Sequence, residues 1–319
     1  MPIIENDPWR EQYFERVACP KSVVIPTDDG DAYALFPKQR WVYNKLLISE
    51  SQNIRCAPHG LVPPDFPVFS KPIYNMRGMG TGSCVIASLA EWHRAQAPGH
   101  MWMELLEGVH LSSDVAVVEG KPQWWRHATG KPLKGGTFDY WTVHAEAKPD
   151  LEAYCAQWLG DNLSDYTGMA NFETIGGRII ECHLRFTDQW PDLYGAGWID
   201  AVVALYEKGV WNYQDADRRT GYSVVLFGAH GVKYAIDRRR VGELMHEYPE
   251  VSSVQITFRD DKPLSAHAMP PGGFRLAIVN CWDLDAGLDL RDRLALRFWS
   301  MGHTRVPRGR RSRRAAVGA

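Results

Sequence analysis

Polar and apolar residues alternate from Glu181 to Arg185, in one of two short stretches that lie on either side of a glycine pair in the middle of the chain. The stretches are residues 168–173 and 178–185, and Gly176-Gly177 lies between them. Alternation with a period of two predicts half-buried strands, and a Gly-Gly pair predicts a tight connection between them. Within the second strand, Cys182 would face away from the neighbouring polar side chains. We therefore predict a β-hairpin with one polar face.

Other hydrophobic patterns predict a chain that mixes helices and strands. Apolar residues three or four positions apart predict helices, and short apolar runs bounded by Gly, Pro or Asp predict strands. The predicted helices cover residues 40–51, 85–96, 151–163, 198–207, 237–246 and 287–299. The further predicted strands cover residues 22–26, 68–73, 101–106, 111–118, 222–227, 252–258 and 274–280, with 111–118 as the hairpin partner of 101–106. The fold class is therefore predicted to be α+β.

Composition and charge exclude several classes of protein. The 319 residues are 45% hydrophobic and 23% charged, with a formal net charge of -2, which is typical of a globular protein and unlike disordered or collagenous chains. The chain has no overall basic charge of the kind that would indicate binding to nucleic acid. We expect no secretory signal and no membrane partner, because no long apolar run is present. The six cysteines form no CxxC pair, so we expect reduced thiols and a cytoplasmic location.

A phosphate-binding region is predicted around a glycine-rich loop. Lys45 lies in a predicted helix, and Lys71 lies on a predicted strand just before the loop. The lysines can supply positive charge to phosphates, and small loop residues allow backbone N–H groups to approach them. The loop matches neither GxGxxG nor GxxxxGK[ST], so by itself it is also compatible with a plain turn. Its candidate phosphate-binding residues are Gly78, Gly80, Gly82 and Ser83.

The polar face of the predicted hairpin is a candidate metal site. Glu181, His183 and Arg185 point to the same side of one strand, and Glu173 on the other strand can reach that side. Two carboxylates and an imidazole can hold Mg²⁺ beside a triphosphate, and Arg185 can contact a phosphate or a substrate carboxylate. The alternative interpretation is a solvated polar strand face.

Seven segments, in a fixed order, resemble the ATP-grasp superfamily, whose members mostly join a carboxylate to an amine with ATP. The resemblance covers roughly residues 40–210. Its segments are Asn44-Lys45, Phe69-Ser70-Lys71-Pro72, the glycine-rich loop, Met103 to Gly108, Ser112-Ser113-Asp114, Asn171-Phe172-Glu173 and Ile180 to Arg185. It implies an ATP-grasp fold, in which two lobes clamp ATP with Mg²⁺.

The resemblance also implies roles for individual residues. Glu173 and Glu181 match the two metal carboxylates, and Arg185 matches the arginine on the substrate side. Position 183 departs from the family, which commonly has Asn there. Because imidazole suits softer metals, the role of His183 is open and Mn²⁺ is an alternative cation. The catalytic candidates are Lys71, Arg126 and Arg185.

The nucleotide base and ribose are expected at a hinge between the lobes. Residues 103–106 match the segment whose backbone pairs with adenine, which gives Leu105 and Leu106 as contacts. Either Glu104 or Glu107 matches the acidic residue that holds the ribose. Lys45, Lys71 and the loop are the phosphate-binding candidates. Asp114 is a further nucleotide-binding candidate, and His110 is a weaker one.

The predicted organisation is a short remnant of a preceding domain at 1–44, an ATP-grasp domain at 45–212, a small α+β domain at 213–302 and a disordered basic tail at 303–319. The expected reaction is ATP-dependent ligation of a small carboxylate to an amine through an acyl phosphate. Two alternatives are a kinase-like phosphoryl transfer and a non-catalytic nucleotide-binding protein. The shortened N-terminal part is compatible with a homo-oligomer that completes the cleft. Nucleic acid is expected only as a weak partner of the basic tail.

Overall fold

The structure is a computed structural model that describes residues 3, 8–76, 80–259 and 273–303. Its helices are α1 (Pro8–Glu11), α2 (Asp29–Leu35), α3 (Lys45–Glu50), α4 (Leu89–Ala95), α5 (Pro149–Asn162), α6 (Trp198–Lys208), α7 (Arg238–Met245) and α8 (Leu284–Ala295). Its strands are β1 (Cys56–Pro58), β2 (Val68–Pro72), β3 (Cys84–Ile86), β4 (His100–Glu104), β5 (His110–Val118), β6 (Lys121–Pro132), β7 (Phe138–Val143), β8 (Gly168–Ile175), β9 (Arg178–His183), β10 (Gly221–Gly228), β11 (Val232–Ala235), β12 (Val251–Ile256), β13 (Phe274–Cys281) and β14 (Trp299–His303).

The strands form antiparallel sheets, which confirms the α+β fold class. A small sheet has the order β1-β4-β2-β3, and a large sheet has the order β12-β13-β10-β7-β6-β5-β8-β9. Strands β11 and β14 pair separately. Because β10, β12 and β13 extend the large sheet, the segments on both sides of the predicted boundary at 212/213 contribute strands to one continuous sheet. His303 pairs with Val232 at the end of β14, and residues 304–319 of the predicted tail lie outside the described residues.

The predicted pairing of 101–106 with 111–118 is wrong. Strand β4 pairs with β1 and β2 in the small sheet, whereas β5 pairs with β6 and β8 in the large one. The chain between Glu104 and His110 therefore crosses from one sheet to the other. Local hydrophobic patterns identify strands, but their partners are set by packing that is distant along the sequence.

The hairpin of β8 and β9 is confirmed, and its turn explains the glycine pair. Gly176 and Gly177 have φ values of +55° and +79°, a left-handed conformation that glycine adopts without strain. A Cβ atom at Gly176 would lie 2.2 Å from the Glu107 carbonyl oxygen, so the turn packs directly on the crossing segment. In the ladder Glu173 faces Glu181 and Thr174 faces Ile179, which leaves Ile180 as an inserted residue.

Helix ends explain where several predictions are right and where they fail. Asn44 caps α3 by accepting hydrogen bonds from the amides of Leu46 and Leu47, which fixes Lys45 in the first turn. The region predicted as one helix at 85–96 contains β3 and a shorter helix, α4, because Ser88 caps the helix there. Residues 22–26, predicted as a strand, have no strand assignment.

Helices cover the large sheet over three buried apolar clusters. Helix α5 packs over residues of β5, β8 and β9, and α6 packs with the N-terminal segment over another part of the sheet. Helices α7 and α8 cover β10, β12 and β13. This packing leaves the polar side chains of β8 and β9 directed toward the small sheet.

Candidate active site

A cavity of about 400 Å³ lies between the two sheets. Strands β2, β3 and β4 form one wall, and strands of the large sheet form the other. Leu105 and Leu106, in the crossing segment, close it at the hinge. The lining residues include Phe69, Lys71, Gly80, Ser83, Val85, Met103, Glu104, His110, Phe138, Trp141, Glu173, Ile175, Ile180, Glu181, His183, Gln189, Val225, Phe227 and Arg275.

Glu173 and Glu181 form an opposed carboxylate pair on the large-sheet wall. Lys45 Nζ lies 2.7 Å from Glu181 Oε1, and His110 Nε2 lies 3.3 Å from Glu173 Oε2. Burial alone raises the pKa of Glu173, but the hydrogen bond and the charge of His110 outweigh it and lower that pKa to about 2. The Glu173 carboxylate is therefore ionised at neutral pH.

His183 lies beside this pair and is held by a carboxylate from α2. Its Nδ1 is 2.9 Å from Asp29 Oδ1, and its Nε2 is buried, has no hydrogen-bond partner among the described residues and lies 3.6 Å from Glu181 Oε2. Arg185 also contacts Asp29, with Nε 2.9 Å from Oδ1. Burial opposes the charged imidazole, but the charge of Asp29 outweighs it and raises the pKa of His183.

Lys71 connects the two walls of the cavity. Its side chain is buried, and Nζ donates to the Ile180 carbonyl at a distance of 2.9 Å. Burial lowers the pKa of Lys71 to about 8, and the neighbouring charge of Lys45 acts in the same direction. An anion that enters the cavity would therefore stabilise the charged form of Lys71.

The donor set is suited to a cation that is shared with a ligand. Among the described residues, no three His, Cys, Asp or Glu side chains are grouped closely enough to hold a metal by themselves. Mg²⁺ beside a nucleotide usually takes only one or two carboxylates, and phosphate oxygens and water complete its coordination. The pair of Glu173 and Glu181 fits that requirement. The unpartnered Nε2 of His183, oriented by Asp29 through Nδ1, has the arrangement of a metal-ligating histidine.

Comparison with known proteins identifies the fold. No protein-family profile matches the sequence, and no curated protein matches it. Among solved structures, an L-amino acid ligase from Bacillus licheniformis has a TM-score of 0.60 and 15% identity, over 92% of this chain and 83% of that one. A phosphoribosylamine–glycine ligase from Thermotoga maritima has a TM-score of 0.56 and 14% identity, over 92% and 86%.

A third similar structure is a carboxyaminoimidazole ribonucleotide synthase from Aspergillus clavatus complexed with ATP. It has a TM-score of 0.55 and 13% identity, over 85% of this chain and 77% of that one. These neighbours are ATP-grasp ligases. The chain has the ATP-grasp fold. At these identities the similarity is one of fold and does not extend to a particular substrate.

The cavity of this ATP-grasp fold gathers part of the predicted nucleotide site. Gly80 and Ser83 line it, whereas Gly82 does not, and Gly78 lies outside the described residues. At the hinge, Glu104 lines the cavity and Glu107 is exposed and outside the lining. Of the two acidic candidates, Glu104 is therefore the one that faces the cavity. Lys45 reaches the cavity through its contact with Glu181.

Three predicted residues are engaged elsewhere. The Arg126 guanidinium is buried and bound to Asp215, with Nη2 3.1 Å from Oδ1, and Arg126 does not line the cavity. Asp114 is buried, accepts hydrogen bonds from Thr187 and the Tyr194 hydroxyl, and does not line the cavity. The guanidinium of Arg185 is paired with Asp29 and is also outside the lining.

Sequence reasoning missed Asp29, Gln189 and Arg275. Asp28 caps α2, and the carboxylate of the next residue, Asp29, contacts His183. Gln189 follows β9 and Arg275 lies in β13, and both line the cavity. The available signal for Arg275 was that it is the one charged residue of β13. No helix of the described chain is long and apolar enough to cross a membrane.

Proposed function

We propose that the protein is an ATP-dependent carboxylate–amine ligase. The observation that carries this proposal is the cavity between the sheets of an ATP-grasp fold, with Lys71 on one wall and the Glu173–Glu181 pair on the other. One side supplies positive charge for phosphates, and the other supplies acidic oxygens for a cation. A carboxylate pair opposite a buried lysine would be an unfavourable arrangement for a site that binds only apolar molecules.

The proposed nucleotide pose follows from the lining of the cavity. The adenine lies against the hinge at Leu105 and Leu106, with Glu104 near the ribose. The triphosphate runs toward Lys71 and the glycine-rich loop, where Ser83 and Gly80 are exposed to the cavity. Glu173 and Glu181 would hold Mg²⁺ with the phosphates, and the metal would supply charge neutralisation. His183 is proposed as a further ligand, which would favour Mn²⁺ as a substitute.

The chemistry follows from this pose. The carboxylate oxygen of the acid attacks the γ-phosphorus, and the bond to the ADP oxygen breaks. The amine nitrogen then attacks the acyl carbon, phosphate leaves, and the nitrogen loses a proton. The chain mainly positions the reactants and balances their charge, because phosphoryl transfer requires little covalent help from the protein.

The test is the release of ADP by the full-length chain with ATP, Mg²⁺ and pairs of small acids and amines. A ligase releases ADP with both substrates and forms an amide that mass spectrometry detects. A kinase-like enzyme releases ADP with one acceptor and forms a stable phosphorylated product. ATP binding without turnover on any pair would contradict the ligase proposal and support a nucleotide-binding protein.

A further inference from the structure

A small group of arginines and aspartates lies around the large-sheet end of the cavity. Arg10 pairs with Asp188, with Nε 2.7 Å from Oδ2, and Arg185 pairs with Asp29. Arg275 is the third arginine of this group. Among the described residues, no carboxylate oxygen lies within 4.0 Å of its guanidinium. The group therefore carries one positive charge that has no ion-pair partner in the described chain.

The guanidinium of Arg275 is held in place by neutral groups. Its Nη1 donates to Gln189 Oε1 at 2.9 Å, and its Cζ lies 5.3 Å from the centre of the Trp9 ring. Gln189 is itself fixed, because its Nε2 donates to Ser223 Oγ at 3.0 Å. The other guanidinium N–H groups have no hydrogen-bond partner among the described residues. Because Arg275 lines the cavity, those donors are available to a ligand.

The walls beside Arg275 are apolar. Phe227 lies directly opposite Arg275 on the neighbouring strand β10. Phe138 and Trp141 contact each other with ring centroids 4.5 Å apart, and both line the same cavity with Val225. A ligand that places a charged group at Arg275 would therefore have the rest of its body against apolar side chains.

We propose that Arg275 binds the carboxylate of the acid substrate, and that this acid carries an apolar or aromatic group seated against Phe138, Trp141 and Phe227. The proposal rests on the ligase function and adds the substrate class. Gln189 is a positioning residue that fixes the guanidinium. One unpaired arginine matches a monocarboxylate, whose two oxygens fit the planar donor fork. A phosphate dianion would require more positive charge than this end of the cavity offers.

The test compares two probes of one shape, phenylpropanoate and the neutral phenylpropanamide. Their affinities for the full chain are measured by titration calorimetry. A charge-assisted hydrogen bond predicts that the wild type binds the carboxylate about tenfold or more tightly than the amide. Arg275→Met should abolish this preference, and Arg275→Lys should keep part of it. Arg293→Met is the matched control, because Arg293 lies on α8 and contacts Glu247 and Tyr248.

Separate outcomes distinguish this proposal from the ligase function. Equal affinity of the wild type for the two probes, or an unchanged preference in Arg275→Met, would overturn the carboxylate subsite. ATP affinity is measured with the same variants and should be unaffected by Arg275→Met. A parallel loss of ATP affinity would assign Arg275 to the triphosphate and also overturn the proposal. If the wild type fails to bind ATP but prefers the carboxylate, and Arg275→Met loses that preference, the ligase function alone is contradicted.

Discussion

Glu173 and Glu181 lie directly opposite each other on β8 and β9, yet each carboxylate is held by a different cationic side chain. Lys45 from α3 contacts Glu181, and His110 from β5 contacts Glu173. Like charges directly opposite each other on a sheet are destabilising, so the two cations offset a repulsion that the hairpin alone would suffer. The arrangement places two acidic side chains at the edge of the cavity.

The first prediction concerns the charge on Glu181. Glu181→Gln keeps the shape of the side chain and removes its charge. If the carboxylate acts on a cation and the phosphates, the rate of ADP release should fall by about 10²- to 10⁴-fold, with the fold intact. Glu243→Gln is the control, because Glu243 is exposed on α7. Near-normal turnover in Glu181→Gln would contradict the role assigned to this carboxylate.

The second prediction concerns the contact of Lys71 with the phosphates. Lys71→Ala should weaken ATP binding much more than adenosine binding, because adenosine has no phosphate charge. The loss of one charge-assisted contact predicts about a tenfold or larger difference between the two ligands. Calorimetric titration of both ligands measures it. Equal weakening of ATP and adenosine would instead indicate that Lys71 supports the structure through its bond to Ile180.

The third prediction concerns pH. The pKa of Lys71 is lowered to about 8 by burial, so its positive charge is lost as the pH rises through that value. ATP affinity should therefore fall above pH 8, by at most about tenfold per pH unit, and ATP binding should take up a proton in that range. Lys71→Arg keeps its charge and should remove this dependence. A wild-type affinity that is flat between pH 7 and pH 10 would show that the lysine charge does not contribute.

The fourth prediction concerns Asp29 and stability. Burial raises the pKa of Asp29, but the charges of Arg185 and His183 outweigh it and hold that pKa well below its usual range. The carboxylate therefore stabilises the fold above its unfolded pKa of about 3.9, and this contribution is lost as the pH falls. Asp29→Asn should lower the free energy of unfolding at pH 7 by about 3–5 kcal/mol, because it leaves Arg185 without its buried partner.

Urea unfolding measures this effect. The difference in free energy of unfolding between wild type and Asp29→Asn should become smaller as the pH is lowered. Asp28→Asn is the matched control. Asp28 caps α2, and asparagine caps a helix about as well as aspartate. A similar stability of Asp29→Asn and Asp28→Asn at pH 7 would show that the buried pair contributes little.

Local sequence patterns predicted the parts of the site that lie on one hairpin or next to one loop. The alternation around Glu181 and the glycine pair located the polar face, because the period of a strand is visible over a few residues.

Strand β6 was not predicted from the sequence, because Pro122 and Gly130 interrupt its hydrophobic pattern. A Cβ atom at Gly130 would lie 2.4 Å from the Phe138 ring, so this glycine is needed for close packing between strands.

Contacts between distant segments could not be predicted in this way. Asp29 meets His183 across 154 positions, and Gln189 meets Arg275 across 86. No local pattern predicts such a contact, because the contact depends on how the helices and sheets pack. The placement of Arg126 away from the cavity has the same origin, since its partner Asp215 lies 89 positions further along the chain.

The central claim is that the cavity between the sheets binds ATP, and a titration with cavity-filling variants tests it most directly. Leu106→Trp places a large ring at the hinge, and Leu296→Trp places the same ring at a side chain that is 85% exposed. With Mg²⁺ present, ATP should bind the wild type and Leu296→Trp equally, and Leu106→Trp about tenfold or more weakly, because the ring occupies the adenine position. No ATP binding to the wild type, or equal affinity in all three proteins, would contradict the account.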